Sequence, residues 1–191
     1  MPAADFSEHD DDTLFARARD GDQQAFGELV RRHQRAALRM AAVISGSTEE
    51  ADDIVQDAFV SVYRHLATYR GSGSLRSWML RVVANHAKNH VRGRVRRLRR
   101  DDREAGLAVR VDESAELAAE RHMEQEALAA ALARLGPNDR AVLACRFVTG
   151  LSEAETAEVL DLAVGTVKSR SSRALVRLHA ALAPLAEEST R

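Results

Sequence analysis

Residues 151–177 read LSEAETAEVLDLAVGTVKSRSSRALVR, and no other part of the chain indicates its fold as clearly. Ser152 and Glu155 stand at the spacing of a capping box, in which two side chains satisfy backbone amides at the start of a helix. The short helix that they open is expected to bury Ala154, Ala157 and Leu160. Residues 161–163 leave room for a tight turn, after which a second helix begins at about Val164. Two helices joined in this way are typical of a helix-turn-helix motif.

The second helix has an apolar face and a basic face. It is predicted to run to Ala183, where Pro184 ends it. The inward positions recur three or four residues apart: Val167, Ser171, Ala174, Leu178 and Leu182. The outward positions carry hydroxyls and cations, with no acid among them: Thr166, Lys168, Ser169, Arg170, Ser172, Arg173 and Arg177.

The basic face of this helix suits the major groove of DNA. The groove admits one helix and presents base-edge acceptors to Arg and Lys, with phosphates on both sides. Short hydroxyl side chains let the helix approach closely. A basic helix packed against an acidic neighbour is the alternative, but the capping box and the turn before the helix favour DNA.

Apolar residues have helical spacing along almost the whole chain of 191 residues. Hydrophobic residues make up 45%, and the chain has ten Gly and three Pro, which argues against a loop-rich β fold. The spacing predicts a helix capped by Thr48, another from Ser74 to Arg92, and one from Ser114 or Leu117 to Leu135. A helix capped by Asn138 or Asp139 should follow and end at Gly150.

We therefore expect an all-α fold of two small helical domains joined by a flexible linker. The expected segments are an acidic, disordered tail over 1–12, a domain over 13–93, a linker over 94–116 and a helix-turn-helix domain over 117–186. The linker is inferred because the helical period fades after Gly93.

The formal net charge of −1 hides two basic stretches. Residues 1–60 carry 13 acids and six basic residues, whereas residues 81–103 carry nine basic residues and two acids. The helix at 166–177 forms the second basic stretch. A chain of this kind can hold a polyanion at two points, although two ordinary solvated faces would give the same pattern.

Several classes of site are not favoured by the sequence. Cys145 is the single cysteine, so no intramolecular disulfide forms, and its neighbours suggest a buried apolar role. His86 and His90 are four residues apart, but the intervening residues lack the glutamate of a zinc motif, and Lys88 would oppose a cation. No phosphate-binding lysine motif or nucleophile–base set is evident. We therefore expect no metal, no cofactor and no catalytic site.

No apolar run is long enough to span a membrane, and the acidic start differs from a signal peptide. A cytoplasmic protein without direct membrane insertion is expected.

Two groups of motifs resemble the sigma factors of bacterial RNA polymerase, and specifically their small extracytoplasmic-function group. The sequence GTVKSR at 165–170, after LSEAETA at 151–157, resembles the fourth conserved region of that family. The sequence ADDIVQDAF at 51–59 is similar to the second region, and the stretch at 69–82 is similar to the part that follows it. The resemblance extends from Leu14 to Leu182.

The resemblance implies a dissociable subunit that gives core RNA polymerase its promoter specificity. The helix-turn-helix would read the minus-thirty-five element as duplex DNA through the outward residues of its second helix. The N-terminal domain would read the minus-ten element as a single strand through a loop and the helix after it: Tyr69, Arg70, Gly71, Ser72, Asn85, Lys88, Asn89 and Arg92. Core polymerase would bind residues near the start of the helix capped by Thr48: Asp52, Asp53, Gln56 and Asp57.

The chemistry of these residues is compatible with those roles. Capture of an unstacked base needs stacking or hydrogen-bonding groups beside a cationic track, and the arginines that follow Asn89 would supply that track. The alternatives are a loop anchor for Tyr69, a surface helix residue for Asn85 and a solvated acidic first turn at Asp52.

Two departures from the family pattern affect the second helix of the motif. Ser171 stands at an inward position that is usually large and apolar, so its hydroxyl must find a partner or weaken the packing. Ala163 and Val164 lack the proline that is often found at the turn.

The family commonly works with an inhibitory anti-sigma factor, often membrane-anchored, and the resemblance implies such a partner. Two other classes stay open: a helix-turn-helix regulator that acts without polymerase, and an all-helical adaptor without a DNA role. Binding to core polymerase would separate both from a sigma factor.

Overall fold

The computed structural model describes residue 6 and residues 9–69, 74–101 and 126–188. Within these ranges the chain forms helices and turns without strands, which confirms the all-α fold class. The helices are α1 (Asp11–Arg19), α2 (Gln23–Ser45), α3 (Glu49–Arg64), a 3-10 turn (Leu66–Thr68), α4 (Leu75–Asp101), α5 (residues 126–133), α6 (Pro137–Leu143) with a π-helical turn (Ala144–Val148), α7 (Glu153–Leu160) and α8 (Val164–Glu188).

Helices α1 to α4 form the N-terminal domain, in which α2, α3 and α4 pack against one another and α1 lies on α2. Fully buried Met40, Ile44 and Val83 lie in the core of this domain. Thr48 makes no side-chain cap for α3; the hydroxyl of Ser47 instead accepts a hydrogen bond from the Glu50 amide at 3.2 Å. Thr48 is nevertheless the N-cap residue of α3 by position, as predicted.

The acidic tail predicted to be disordered over 1–12 is ordered where the structure describes it. Phe6 is 8% exposed, and the Arg32 guanidinium donates to the carbonyl oxygens of Phe6 and His9, both at 2.8 Å. Asp10 caps α1 by accepting from the Thr13 amide at 2.8 Å. The described residues of this segment are held because Arg32, more than 20 residues away, satisfies the Phe6 and His9 carbonyls, and the local sequence does not indicate that contact.

Helix α4 continues past Gly93 to Asp101, so the prediction that this helix ends at Arg92 is wrong. Arg94 explains the extension, because it donates to Glu50 Oε2 at 2.6 Å and to the Ser45 carbonyl at 2.8 Å. These contacts outweigh the cost of a glycine inside a helix, about 1 kcal/mol relative to alanine. The remainder of the predicted linker, from residue 102, lies outside the described residues.

Helices α5 to α8 form the C-terminal domain. The capping box of α7 is present: the Ser152 amide donates to Glu155 Oε2 at 2.8 Å, and the Glu155 amide donates to Ser152 Oγ at 3.1 Å. Asp161 makes the turn into α8 with a left-handed backbone at φ +55°. The helix-turn-helix prediction is confirmed.

Four local predictions in this domain need correction. Ala154 is exposed, and Thr156 and Val159 are buried beside Ala157 and Leu160 instead. Gly136, rather than Asn138 or Asp139, is the N-cap residue of the helix that starts at Pro137. That helix does not run unbroken to Gly150, because a π-helical turn replaces its last part.

Helix α8 passes through Pro184 to Glu188. Proline removes one backbone hydrogen bond, but the carbonyl that loses its partner belongs to exposed Ala180. The start of the predicted helix from Ser114 or Leu117 lies outside the described residues.

The two domains pack against each other. Helix α4 lies on α7, and α2 lies on α6 and the π-helical turn. One continuous apolar cluster includes Met40 and Leu80 of the N-terminal domain together with Val142, Cys145 and Leu160 of the C-terminal domain.

Among the described residues, every helix is too short or too polar to cross a lipid bilayer.

Candidate nucleic-acid interface

The outer face of α8 is accessible and basic. Val167 and Ala174 are fully buried on its inner side, so the helix is fixed in rotation about its axis. Four of the predicted residues are exposed and two are half-buried; in order along the helix these are Thr166 (half-buried), Lys168, Ser169, Arg170 (half-buried), Ser172 and Arg173. The sequence contains no Asp or Glu between residues 164 and 183, so no acid in this part of α8 neutralises the face.

Arg177 differs from the other cations of this face. Its guanidinium donates to Asp139 at the start of α6, although its side chain is still 60% exposed. The charge of Arg177 is therefore partly compensated within the domain, and the uncompensated cations of the face are nearer the start of α8.

Ser171 is buried, and its hydroxyl has no hydrogen-bond partner among the described residues. The Oγ1 of fully buried Thr156 on α7 likewise has no hydrogen-bond partner among the described residues. An unsatisfied buried hydroxyl costs about 1–3 kcal/mol, so the packing of α8 at Ser171 is weaker than an apolar side chain would make it.

The second predicted DNA surface is divided by the structure. Asn85, Asn89 and Arg92 are exposed and lie on one face of α4, at positions i, i+4 and i+7. Lys88 is half-buried instead, with Cys145 and Asp161 of the C-terminal domain near it. Burial, and then the charge of Arg92, lower the pKa of Lys88. The structure therefore brings three of these four α4 residues together and turns the fourth towards the other domain.

Tyr69 packs into an aromatic cluster. Its ring lies edge-on to Phe15, with centroids 5.0 Å apart, and 5.1 Å from the ring of Trp78. Burial raises the pKa of Tyr69, so its phenol is protonated at neutral pH. This packing fits the loop-anchor alternative for Tyr69. The predicted loop residues Arg70, Gly71 and Ser72 lie outside the described residues.

Helix α3 presents an acidic and polar edge in which all four predicted polymerase-binding residues are exposed: Asp52, Asp53, Gln56 and Asp57. Beside it lies a groove of about 610 Å³ between α2 and α3, with Phe26, Val55 and Phe59 in its lining. Val60 and Tyr63 border this groove and are each 43% exposed. The sequence analysis missed these two, although apolar residues at outward positions of α3 were a readable signal.

His90 and Cys145, which the sequence offered as candidates for metal or thiol chemistry, have different surroundings in the structure. His90 Nε2 lies 3.4 Å from Glu50 Oε2, and no group of three metal-ligating side chains occurs among the described residues. Burial raises the pKa of the Cys145 thiol to about 12, which leaves it protonated and unreactive.

Comparisons with known proteins match both halves of the chain. The model of sigma-70 region 2 matches residues 29–97, and that of sigma-70 region 4 matches residues 125–178. The ECF RNA polymerase sigma factor SigM of Mycobacterium tuberculosis is 36% identical over 183 residues, which cover 93% of this chain and 88% of SigM.

Two solved structures are similar in fold. CnrH, solved in complex with the cytosolic domain of CnrY, aligns with a TM-score of 0.70 and 29% identity over 92% of this chain and 99% of CnrH. The sigma factor RpoE of Bartonella quintana, solved with the anti-sigma factor NepR, aligns with a TM-score of 0.66 and 23% identity over 82% of this chain and 96% of RpoE.

Proposed function

Because this chain belongs to the extracytoplasmic-function group of bacterial sigma factors, we propose that it binds core RNA polymerase and directs it to the promoters of a dedicated gene set. The domain of residues 11–101 binds polymerase and the minus-ten element, and that of residues 126–188 binds the minus-thirty-five element. The observation that carries the proposal is the outer face of α8 over residues 166–177. It carries no acid, and it follows a capped helix, α7, and a tight turn.

The minus-thirty-five element is read by the start of α8 in the major groove. Lys168 and Arg173 are exposed cations that reach base-edge acceptors or phosphates, and Ser169 and Ser172 allow close approach. Arg177 contributes less than these because Asp139 holds part of its charge. Thr166 and Arg170 complete the face from half-buried positions.

The minus-ten element is bound as a single strand on the N-terminal domain. The amides of Asn85 and Asn89 supply hydrogen bonds to an unstacked base, and Arg92 supplies charge for the backbone. Arg70, Gly71 and Ser72, which follow Tyr69 in the sequence, are assigned to the same site by their match to the family. Lys88 takes part only when the C-terminal domain leaves α4.

Core polymerase binds the acidic edge of α3 and the groove beside it. Asp52 and Gln56 line the groove together with Val60 and Tyr63, so the surface combines charge at its rim with apolar area. The chain acts in the cytoplasm as a specificity subunit without a catalytic site of its own, and polymerase performs the chemistry.

An anti-sigma factor is the second protein partner that we propose. RpoE of Bartonella quintana was solved with one, and CnrH was solved with a cytosolic domain of CnrY. The groove between α2 and α3 is the surface that we assign to it, because a partner there competes directly with core polymerase.

Run-off transcription with purified core polymerase and a library of genomic fragments tests the proposal. The wild-type chain should give RNA from defined start sites, whereas a regulator that acts without polymerase or an adaptor would give none. Arg173→Ala should reduce promoter binding about tenfold by removing a base or phosphate contact. Arg35→Ala, which removes an exposed arginine from α2, is the matched control and should change little. Equal footprints for both variants would contradict the role of α8.

A further inference from the structure

Asp139 lies where the basic face of α8 meets the start of α6. It is the third residue of α6, after Pro137 and Asn138, and its side chain is 16% exposed. A carboxylate in the first turn of a helix is stabilised by free backbone amides and by the positive end of the helix dipole. The start of α6 therefore favours a negative charge at Asp139 even without an ion-pair partner.

The ion-pair partner of Asp139 belongs to the basic face of α8. Thr166, Arg170, Arg173 and Arg177 follow one another at intervals of four, three and four residues, so they form one line along the helix. The Arg177 guanidinium donates to the Asp139 carboxylate, yet 60% of the arginine side chain is exposed. Arg177 therefore extends the line of Arg170 and Arg173 by one helical turn, while an acid of the same domain holds it.

Arg177 differs in this respect from the two arginines before it. Within the described ranges, neither Arg170 nor Arg173 forms an ion pair. A carboxylate and a phosphate offer a guanidinium the same chemistry, because each presents negatively charged oxygens that accept its hydrogen bonds. An ion pair with an exposed arginine is weak since water solvates the cation, so a DNA phosphate can replace Asp139.

We propose that Asp139 holds Arg177 in place of a DNA phosphate, and that Arg177 exchanges the carboxylate for a phosphate of the minus-thirty-five element when α8 enters the major groove. The inference rests on the proposed function, because that function supplies the duplex. Asp139 is a positioning residue: it acts through Arg177 and contacts no base itself.

The exchange lowers the part of the affinity that does not depend on sequence. Phosphate contacts stabilise complexes with promoter DNA and with unrelated DNA alike. An arginine that must first leave a carboxylate contributes less to both complexes than a free arginine does. Asp139 therefore limits the binding of the protein to unrelated DNA, and base contacts supply a larger share of the affinity for the promoter.

A purely structural role for the pair predicts the opposite result. Helices α6 and α8 also pack through buried Leu143 and Ala174, which share an apolar cluster with Leu135. If Asp139 and Arg177 only fixed α8 on α6, loss of the pair would loosen α8 and weaken DNA binding. If Asp139 competes with phosphate, its loss strengthens DNA binding.

Asp139→Asn in the complex of the full chain with core polymerase tests the proposal, because asparagine keeps the size of the side chain and removes its charge. Affinity for a promoter duplex is measured by fluorescence anisotropy over a range of salt concentrations. At low salt the variant should bind about fivefold more tightly, and the slope of log affinity against log salt should steepen by about 0.9, since one more phosphate contact releases one more counterion.

Glu158→Gln is the matched control for Asp139→Asn. It removes the same charge from an exposed position of α7, where the carboxylate forms no ion pair among the described residues. The control should leave the salt slope unchanged. Weaker or unchanged binding by Asp139→Asn, or equal steepening in the two variants, would overturn the proposal.

Arg177→Ala completes a double-variant cycle. It should remove the gain of Asp139→Asn, so that Arg177→Ala with and without Asp139→Asn gives promoter affinities within about twofold of each other. A gain that persists without Arg177 would show that the carboxylate acts through its general charge, and it would refute the exchange. Wild-type complex that makes no RNA from defined start sites refutes the proposed function. Wild-type complex that does make such RNA, together with an Asp139→Asn variant that binds no more tightly, refutes only the exchange.

Discussion

Ser171 is the residue whose replacement should most directly strengthen the packing of α8. Its buried hydroxyl is unsatisfied among the described residues, and alanine removes the hydroxyl while leaving little empty space. Ser171→Ala should raise the free energy of unfolding in urea by about 1 kcal/mol. Ser172→Ala on the exposed side is the control, because it gains only helix propensity. Equal gains from the two variants would show that the buried hydroxyl carries no cost.

Glu28 should give the N-terminal domain a specific dependence on pH. Hydrogen bonds from Arg31 and then Arg32 lower the pKa of Glu28 to about 2, from an ordinary value of 4.5. Because the folded pKa is depressed, the stabilisation is present above pH 4.5 and is lost as the pH falls towards 2. Urea unfolding at pH 6 and pH 3 should show a smaller loss for Glu28→Gln than for the wild type. Parallel losses would place the acid sensitivity in other carboxyls.

Individual side chains were predicted well where their position on a helix settles their environment. Asn85, Asn89 and Arg92 are exposed on one face, as their spacing implies. Lys88 is adjacent to them in sequence, but its surroundings are set by Cys145 and Asp161, which are more than 50 residues away. Contacts of that kind depend on how the two domains pack together, which the spacing of apolar residues along one helix does not reveal.

At the scale of the helix, Gly93 offers a test of the extension of α4. In a continuous helix, Gly93→Ala should raise the free energy of unfolding by up to about 1 kcal/mol, because alanine loses less backbone entropy. The added Cβ would meet Arg97 Nη1 at 3.5 Å, an ordinary contact. Hydrogen exchange of the amides at 94–97 should slow in parallel. A gain near zero with unchanged exchange would mean that the helix ends at residue 93.

Helix boundaries were predicted correctly where the signal is local and reciprocal. The capping box of Ser152 and Glu155 is such a signal, because two side chains and two amides within four residues determine the start of α7. Signals of one residue were less reliable, since neither Gly93 nor Pro184 ends its helix. Thr48 is the N-cap residue of α3, but its side chain makes no capping hydrogen bond. Tertiary contacts, such as those of Arg94, outweigh propensities of about 1 kcal/mol.

For the whole molecule, the shared core predicts that both domains unfold together. Unfolding either domain alone would expose the apolar residues that α4 and α7 bury against each other. Calorimetry of the wild type should therefore show a single transition with equal calorimetric and van't Hoff enthalpies. Arg76 and Arg81 of α4 donate to the carbonyl oxygens of Thr149 and Glu158 in the C-terminal domain, so the double variant Arg76→Ala and Arg81→Ala should broaden or split that transition. Two well-separated transitions in the wild type would indicate that the interface is weak in solution.

The domain composition was readable from the sequence, but the interface was not. Each domain follows from its own helical periods and caps, which are properties of neighbouring residues. The docking of α6 on α2 depends on a buried arginine, and Arg140 in isolation reads as a surface residue of a short helix. Its pKa is lowered by burial and by the nearby charge of Arg94, and no local pattern contains either cause.

That arginine also works against the contact in which it takes part. The Nε of Arg140 has no acceptor among the described residues, so its guanidinium gives up hydration that the surrounding groups only partly replace. An unbranched apolar side chain of similar length would carry no such penalty. Arg140→Met should therefore raise the free energy of unfolding in urea, the reverse of what deletion of a contact usually does. The buried guanidinium of Arg140 therefore weakens the contact between the N-terminal and C-terminal domains.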